Sequence, residues 1–238
     1  MSDGFVYIVE SPSATDFADR RTEGSALCEA FNLSRTKHSY CIAVNKEQFL
    51  LALSIKEPGN RFGTAVAHHG CMPVLHLSMH GFAEGIQLTD GTVISWAELR
   101  DILSPINEAL PNGLMIAFST CGGGSSIRMN MREEEHERPF FATIGSFNNI
   151  LYDDALVAFI AFYHNLFKGK SVQECVAAMK AASGDQGFAV YSGPEEKQQF
   201  IQYMQRERLI AALRVPNAAS RPTGGLLGLL TPSADTDG

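Results

Sequence analysis

Two stretches decide how this chain folds: Val74-Leu75-His76-Leu77-Ser78-Met79-His80-Gly81 and Leu114-Met115-Ile116-Ala117-Phe118-Ser119-Thr120-Cys121-Gly122. Each is a short apolar run that stops at a polar residue followed by glycine, as a strand buried on both faces does. Between them lie residues 85–88, the dipeptide Asp90-Gly91 and residues 92–94, which read as a small β-hairpin closed by a favoured turn. Ser95-Trp96-Ala97-Glu98 follows with the S-x-x-E spacing of a capping box, opening a helix over 96–110. A hairpin and a helix make a connection long enough for the two strands to lie parallel and adjacent.

Outward from this centre the same alternation continues. Residues 5–10 form a strand that ends at Ser11-Pro12-Ser13, 22–32 a helix, 40–44 a strand and 46–55 a helix. After the second central strand come a strand at 140–144, helices at 154–167 and 171–182, a strand at 188–191 and a helix at 194–214. The expected fold class is α/β, a mostly parallel sheet with helices on both faces. One domain over 1–215 is expected. Residues 216–238, rich in Ala, Gly, Pro, Ser and Thr, read as a flexible tail with a docking patch at 226–230.

Composition narrows the function. The 238 residues are 45% hydrophobic and 19% charged, enough apolar material for one sizeable core. Apolar runs such as 114–119 and 156–162 fall far short of the roughly 20 residues that span a bilayer. The amino terminus, Met1-Ser2-Asp3-Gly4, lacks the basic flank and apolar stretch of a secretory signal, so a cytoplasmic protein without membrane contact is expected. A net charge of −7 argues against direct nucleic-acid binding, which needs clustered Lys and Arg. Cys28, Cys41, Cys71, Cys121 and Cys175 show no CxxC spacing and read as separate thiols.

His80 and Cys121 stand just past the carboxyl ends of two central strands, the edge of an open α/β sheet where ligands bind. An imidazole and a thiol facing one cleft make a nucleophile with a proton-transfer partner. The glycines after them, Gly81 and Gly122, let backbone approach a substrate carbonyl, and the N–H groups of Gly81 and Cys121 are candidates to hold an oxyanion. Spacing alone equally fits a small apolar thiol ending a strand and a hydrogen-bonded core histidine. His68, His69, Cys71, His76 and His80 crowd one region, yet His76 and His80 lie about 13 Å apart at strand rise and cannot share an ion. No metal and no cofactor are expected. Gly122-Gly123-Gly124-Ser125-Ser126 lacks the ending of a phosphate-binding P-loop and reads as nucleophile-loop geometry. The polar run 128–138 reads as a solvated loop or frayed helix, and Phe159, Phe162, Tyr163 and Leu166 as a core stripe.

The strand ending in His80-Gly81, the hairpin and the strand ending in Cys121 together resemble the core of caspase-like cysteine peptidases, most closely their CHAT branch. The downstream order strand, helix, helix, with Asp153-Asp154-Ala155, Phe159, Phe162-Tyr163 and Glu174, is similar to that branch too. The likeness covers about residues 70–182. It implies a caspase-like α/β/α sandwich and a cysteine endopeptidase in which Cys121 attacks a peptide carbonyl while His80 handles the proton, with no third catalytic residue. It also implies a selectivity pocket around 11–20, Ser119 and 145–147, with Asp16, Ser119, Gly122 and Ser146 as substrate-binding candidates. Ser119 and Thr120 stand where caspases proper carry Gln and Ala, so cleavage after Asp does not follow. Arg20, Arg21 or Arg128 could receive an acidic side chain, Asp16 or Asp153 a basic one, and the sequence does not choose. The expected partners are a protein or peptide substrate and an activating protein or processing event, in a defence or cell-death setting. The alternative is a catalytically silent interaction module of the same fold.

Overall fold

The computed structural model describes residues 4–56, 61–133 and 138–214. The strands are β1 (Gly4–Ser11), β2 (His38–Ile42), β3 (Met72–Phe82), β4 (Gly85–Gln87), β5 (Val93–Ser95), β6 (Met115–Ser119), β7 (Ala142–Ser146) and β8 (Phe188–Ser192). They form one sheet in the order β2-β1-β3-β6-β7-β8. All neighbours on this path are parallel except the final pair, β7 and β8. The helices are α1 (Ala14–Ala18), α2 (Glu23–Ser34), α3 (Lys46–Leu53), α4 (Phe62–His69), α5 (Trp96–Ala109), α6 (Tyr152–Leu166), α7 (Val172–Ser183) and α8 (Gly193–Arg214). The result is an α/β/α sandwich with a mostly parallel sheet. The chain divides into two compact units between Gln202 and Tyr203. The first carries the whole sheet; of the second, the described residues are the last turns of α8. The tail 216–238 and its 226–230 patch lie outside the described residues.

The pleat sorts each central strand between two cores. Phe5, Tyr7 and Val9 of β1, Leu75, Leu77 and Met79 of β3, and Ile116 and Phe118 of β6 pack with α3, α4 and α5. Val6, Ile8, Val74 and Ala117 turn to the opposite face, where Leu27 and Phe31 of α2, Phe159 and Phe162 of α6 and Met179 of α7 cover them. A parallel sheet whose central strands are covered on both faces reads as near-continuous apolar sequence, and this made the strands legible.

Several local expectations are met in detail. The hairpin closes at Gly91, whose φ of +87° only glycine adopts without strain, and Leu88 N–H donates to Thr92 O at 2.9 Å. The expected capping box at Ser95 is half formed. Ser95 Oγ accepts from Glu98 N–H at 3.2 Å, but the Glu98 carboxylate turns away to Lys46 Nζ at 2.6 Å. The complete box lies at Ser171 and Glu174, opening α7. Two helices escaped the periodicity. Helix α1 is only 5 residues long. Helix α4, Phe-Gly-Thr-Ala-Val-Ala-His-His, combines weak helix formers with an N-cap that makes no side-chain bond. His68 and His69 therefore end a helix capped by left-handed Gly70.

The run 128–138 is not solvated throughout. Met129 and Asn130 are buried, closing a 3-10 helix at Gly123–Asn130, and Asn130 Nδ2 donates to Gly193 O at 3.1 Å. Residues 134–137 lie outside the described residues. Trp96 is buried, donating from Nε1 to Ala83 O at 2.9 Å with its ring edge-on to Phe118. It locks the hairpin onto the core and offers no face to a substrate. Phe159→Ala should lower the unfolding free energy by about 3–5 kcal/mol. Lys46→Ala, which removes only the half-exposed pair with Glu98, should cost at most about 1 kcal/mol. Urea denaturation of both variants checks this contrast.

Candidate active site

β3 and β6 lie side by side in parallel, and Ser78 pairs with Ser119 in register. Two residues further on, at the strand tips, are His80 and Cys121. Period two puts His80 on the face of His76 and Ser78, the α2/α6 side of the sheet, and Cys121 follows the end of β6 in a turn. β3 does not stop at Met79 as expected. It runs on through His80 and Gly81 and leaves the main sheet to pair antiparallel with β4, His80 opposite Gln87 and Gly81 opposite Ile86. His80 is exposed and Cys121 half-buried, and both line one cleft of about 120 Å³ with Ser119, Ile150 and Tyr152. The other wall of the cleft is the start of α6.

Glycine at 81 is what allows the tips to close. A Cβ there would stand 2.5 Å from Cys121 O and 2.7 Å from Thr120 Cβ. The glycines after Cys121 serve packing too. Gly122 has φ +64°, and a Cβ on Gly124 would meet the Phe147 ring at 2.9 Å. Cys121 Sγ donates to Ile150 O at 3.7 Å, so the thiol rests on the β7–α6 connection rather than on the imidazole.

Beneath the tips lies a buried polar network that pattern reading did not single out. Glu23, the first residue of α2, spans two strands: Ser78 Oγ donates to Glu23 Oε2 at 2.6 Å and Ser119 Oγ at 2.7 Å. His76 Nδ1 is 2.9 Å from the Tyr163 hydroxyl. With Tyr163 donating, the ring proton sits on Nε2, 3.7 Å from Glu23 Oε1 and too far for a hydrogen bond. Glu10, at the end of β1 and in register with Ser78, accepts through Oε2 from Tyr40 at 2.7 Å and from Gly24 N–H at 3.0 Å. Glu10 Oε1 is buried without a partner among the described residues. Burial raises the Tyr152 pKa, and the charges of Glu10, Glu23 and Asp16 add to the rise. Burial likewise lifts the Glu10 carboxyl above its ordinary value, against the Tyr40 bond, with the Glu23 charge adding to the rise. The available signal was alternation. Glu10 shares the inward face of Val6 and Ile8, where an acid demands a reason.

The other expected site residues divide. Ser119 lines the cleft. Ser146 does not: it is buried, and its hydroxyl donates to Asp185 Oδ2 at 2.8 Å and accepts from Asn148 N–H. The Gly122 N–H is already donated to Asn148 O, so neither is open to a substrate. Asp16 sits in α1, tied to Ser13 Oγ, and reaches the site only through its field on Tyr152. Arg128 is spent on Ala83 O, and Asp153 lies exposed in the first turn of α6. His76 is core, His69 Nε2 meets Ser39 Oγ at 3.0 Å, and no cluster among the described residues could hold a metal ion. Burial pushes the Cys28 thiol up to about 11 and raises Cys41 and Cys175, which makes these three poor nucleophiles. No protein-family model and no curated protein sequence matches this chain.

Two predictions follow from the site's construction. Gly81→Ala should destabilise the chain by about 1–3 kcal/mol, because the new methyl meets the Cys121 carbonyl just past β6, and chemical denaturation reads the loss. Glu10 keeps its proton to higher pH folded than unfolded. Its stabilising contribution is therefore full below the unfolded pKa of about 4.3 and falls as pH rises through the folded value. Thermal melts of wild type and Glu10→Gln should diverge in the variant's favour above that pH; parallel curves would contradict the assignment.

Proposed function

We propose that the chain is a cysteine endopeptidase acting on a protein or peptide, with Cys121 as nucleophile and His80 as proton carrier. The observation that carries this reading is one thiol and one imidazole on the tips of adjacent parallel strands, lining the same cleft. In the reaction the Cys121 proton passes to His80 and the thiolate attacks the peptide carbonyl, forming a C–S bond. The C–N bond then breaks as His80 returns the proton to the leaving amine. Water cleaves the thioester, its hydroxyl going to the acyl group and its proton back to sulfur. Backbone N–H groups of Gly81 and Cys121 are the proposed oxyanion donors. The resemblance to caspase-like and CHAT peptidases supports the same assignment.

Catalysis in this scheme requires Sγ to swing from the Ile150 carbonyl toward His80. A protein partner or a processing event that moves the β7–α6 connection would act as the activator. Cys121→Ala should abolish peptide turnover and alkylation by a peptide acyloxymethyl ketone. His80→Ala should reduce both by at least about a hundredfold. Thermal unfolding of each should stay within about 0.5 kcal/mol of wild type. Turnover persisting in Cys121→Ala would end the proposal. A cleft that reacts with no peptide probe would favour the silent interaction module.

A further inference from the structure

Two buried acids, Glu10 and Glu23, lie beneath the cleft of His80 and Cys121 without lining it. Glu10, Ser78 and Ser119 form one row across β1, β3 and β6, on the face of His80 and two residues below the dyad. Two residues of strand rise are about 7 Å, the reach of a long side chain. Glu23 lies across this row, held by the two serines. Among the described residues no lysine or arginine forms an ion pair with Glu10, Glu23 or Asp16. A carboxylate oxygen, Glu10 Oε1, is left wholly buried with no hydrogen bond. Two buried acids with no lysine or arginine beside them are costly, and an unpaired acceptor in low dielectric adds to the cost. An entering cation would relieve both.

Resting on the peptidase reading, we propose that this row is the floor of a pocket for a cationic side chain, lysine or arginine, on the residue whose carbonyl Cys121 attacks. The side chain descends between Ser119 and Tyr152 and meets Glu10 and Glu23, and an acidic side chain is repelled by the same charges. The test uses the full chain and peptide acyloxymethyl ketones that differ only in the residue next to the reactive ketone: Arg, Lys, norleucine or Asp. Mass spectrometry locates the adduct. The Arg or Lys probe should label Cys121 at least about tenfold faster than norleucine, with Asp slowest. An advantage confined to Arg points to a bidentate contact with the carboxylates. In Glu10→Gln and Glu23→Gln the ratio of cationic to norleucine rates should collapse toward one. Should Glu23→Gln fail to fold, Glu10→Gln carries the test alone. Norleucine or Asp labelling as fast as Arg and Lys, or a ratio that survives in the folded variants, overturns the pocket and leaves the peptidase reading intact. No labelling of Cys121 by any probe, while iodoacetamide alkylates it, overturns both.

Discussion

The in-register pairing of β3 with β6 is the constraint on which the site depends. With Ser78 opposite Ser119, the same alternation that buries Leu77 and Phe118 on one face puts His80 on the other, and the turn after β6 brings Cys121 to the same cleft. A slip of one residue would send His80 to the wrong side. Glu23 resists that slip, because a single carboxylate accepts from both serines and ties the two strands to the start of α2. Gly81 allows the close contact just above. Register, carboxylate staple and glycine thus act on one short stretch of two strands.

The staple is a buried acid, and buried acids are ordinarily costly. Here the cost is offset in part by charge-assisted hydrogen bonds, which exceed neutral ones in strength. Glu10 is less well served, with one oxygen bonded to Tyr40 and Gly24 and the other to nothing. A side chain of that kind in the centre of a sheet edge does not repay its desolvation by packing. It lies in register with Ser78, two residues below His80.

Three of the other four thiols make the contrast plain. Cys41 and Cys175 are buried and Cys28 is half-buried, all three held above the ordinary thiol range by desolvation. Cys121 shares a cleft with an imidazole and sits at a strand tip where backbone leaves the sheet. Position, not residue type, separates it from the others.

Hydrophobic patterning by itself determined the strand and helix order, the hairpin with its Asp90-Gly91 turn and the shared face of His76, Ser78 and His80. Each of these depends on local period and local turn chemistry. Short elements such as α4, with no side-chain cap and weak formers, exist because Phe62 and Ala65 pack into the core, and no local signal announces that. Only the tertiary structure decided that Glu10 and Glu23 meet beneath the cleft, that Ser146 is committed to Asp185 and that Cys121 rests on Ile150. Those partners come from strands and helices far apart in the chain, and proximity across a sheet leaves no mark on sequence spacing.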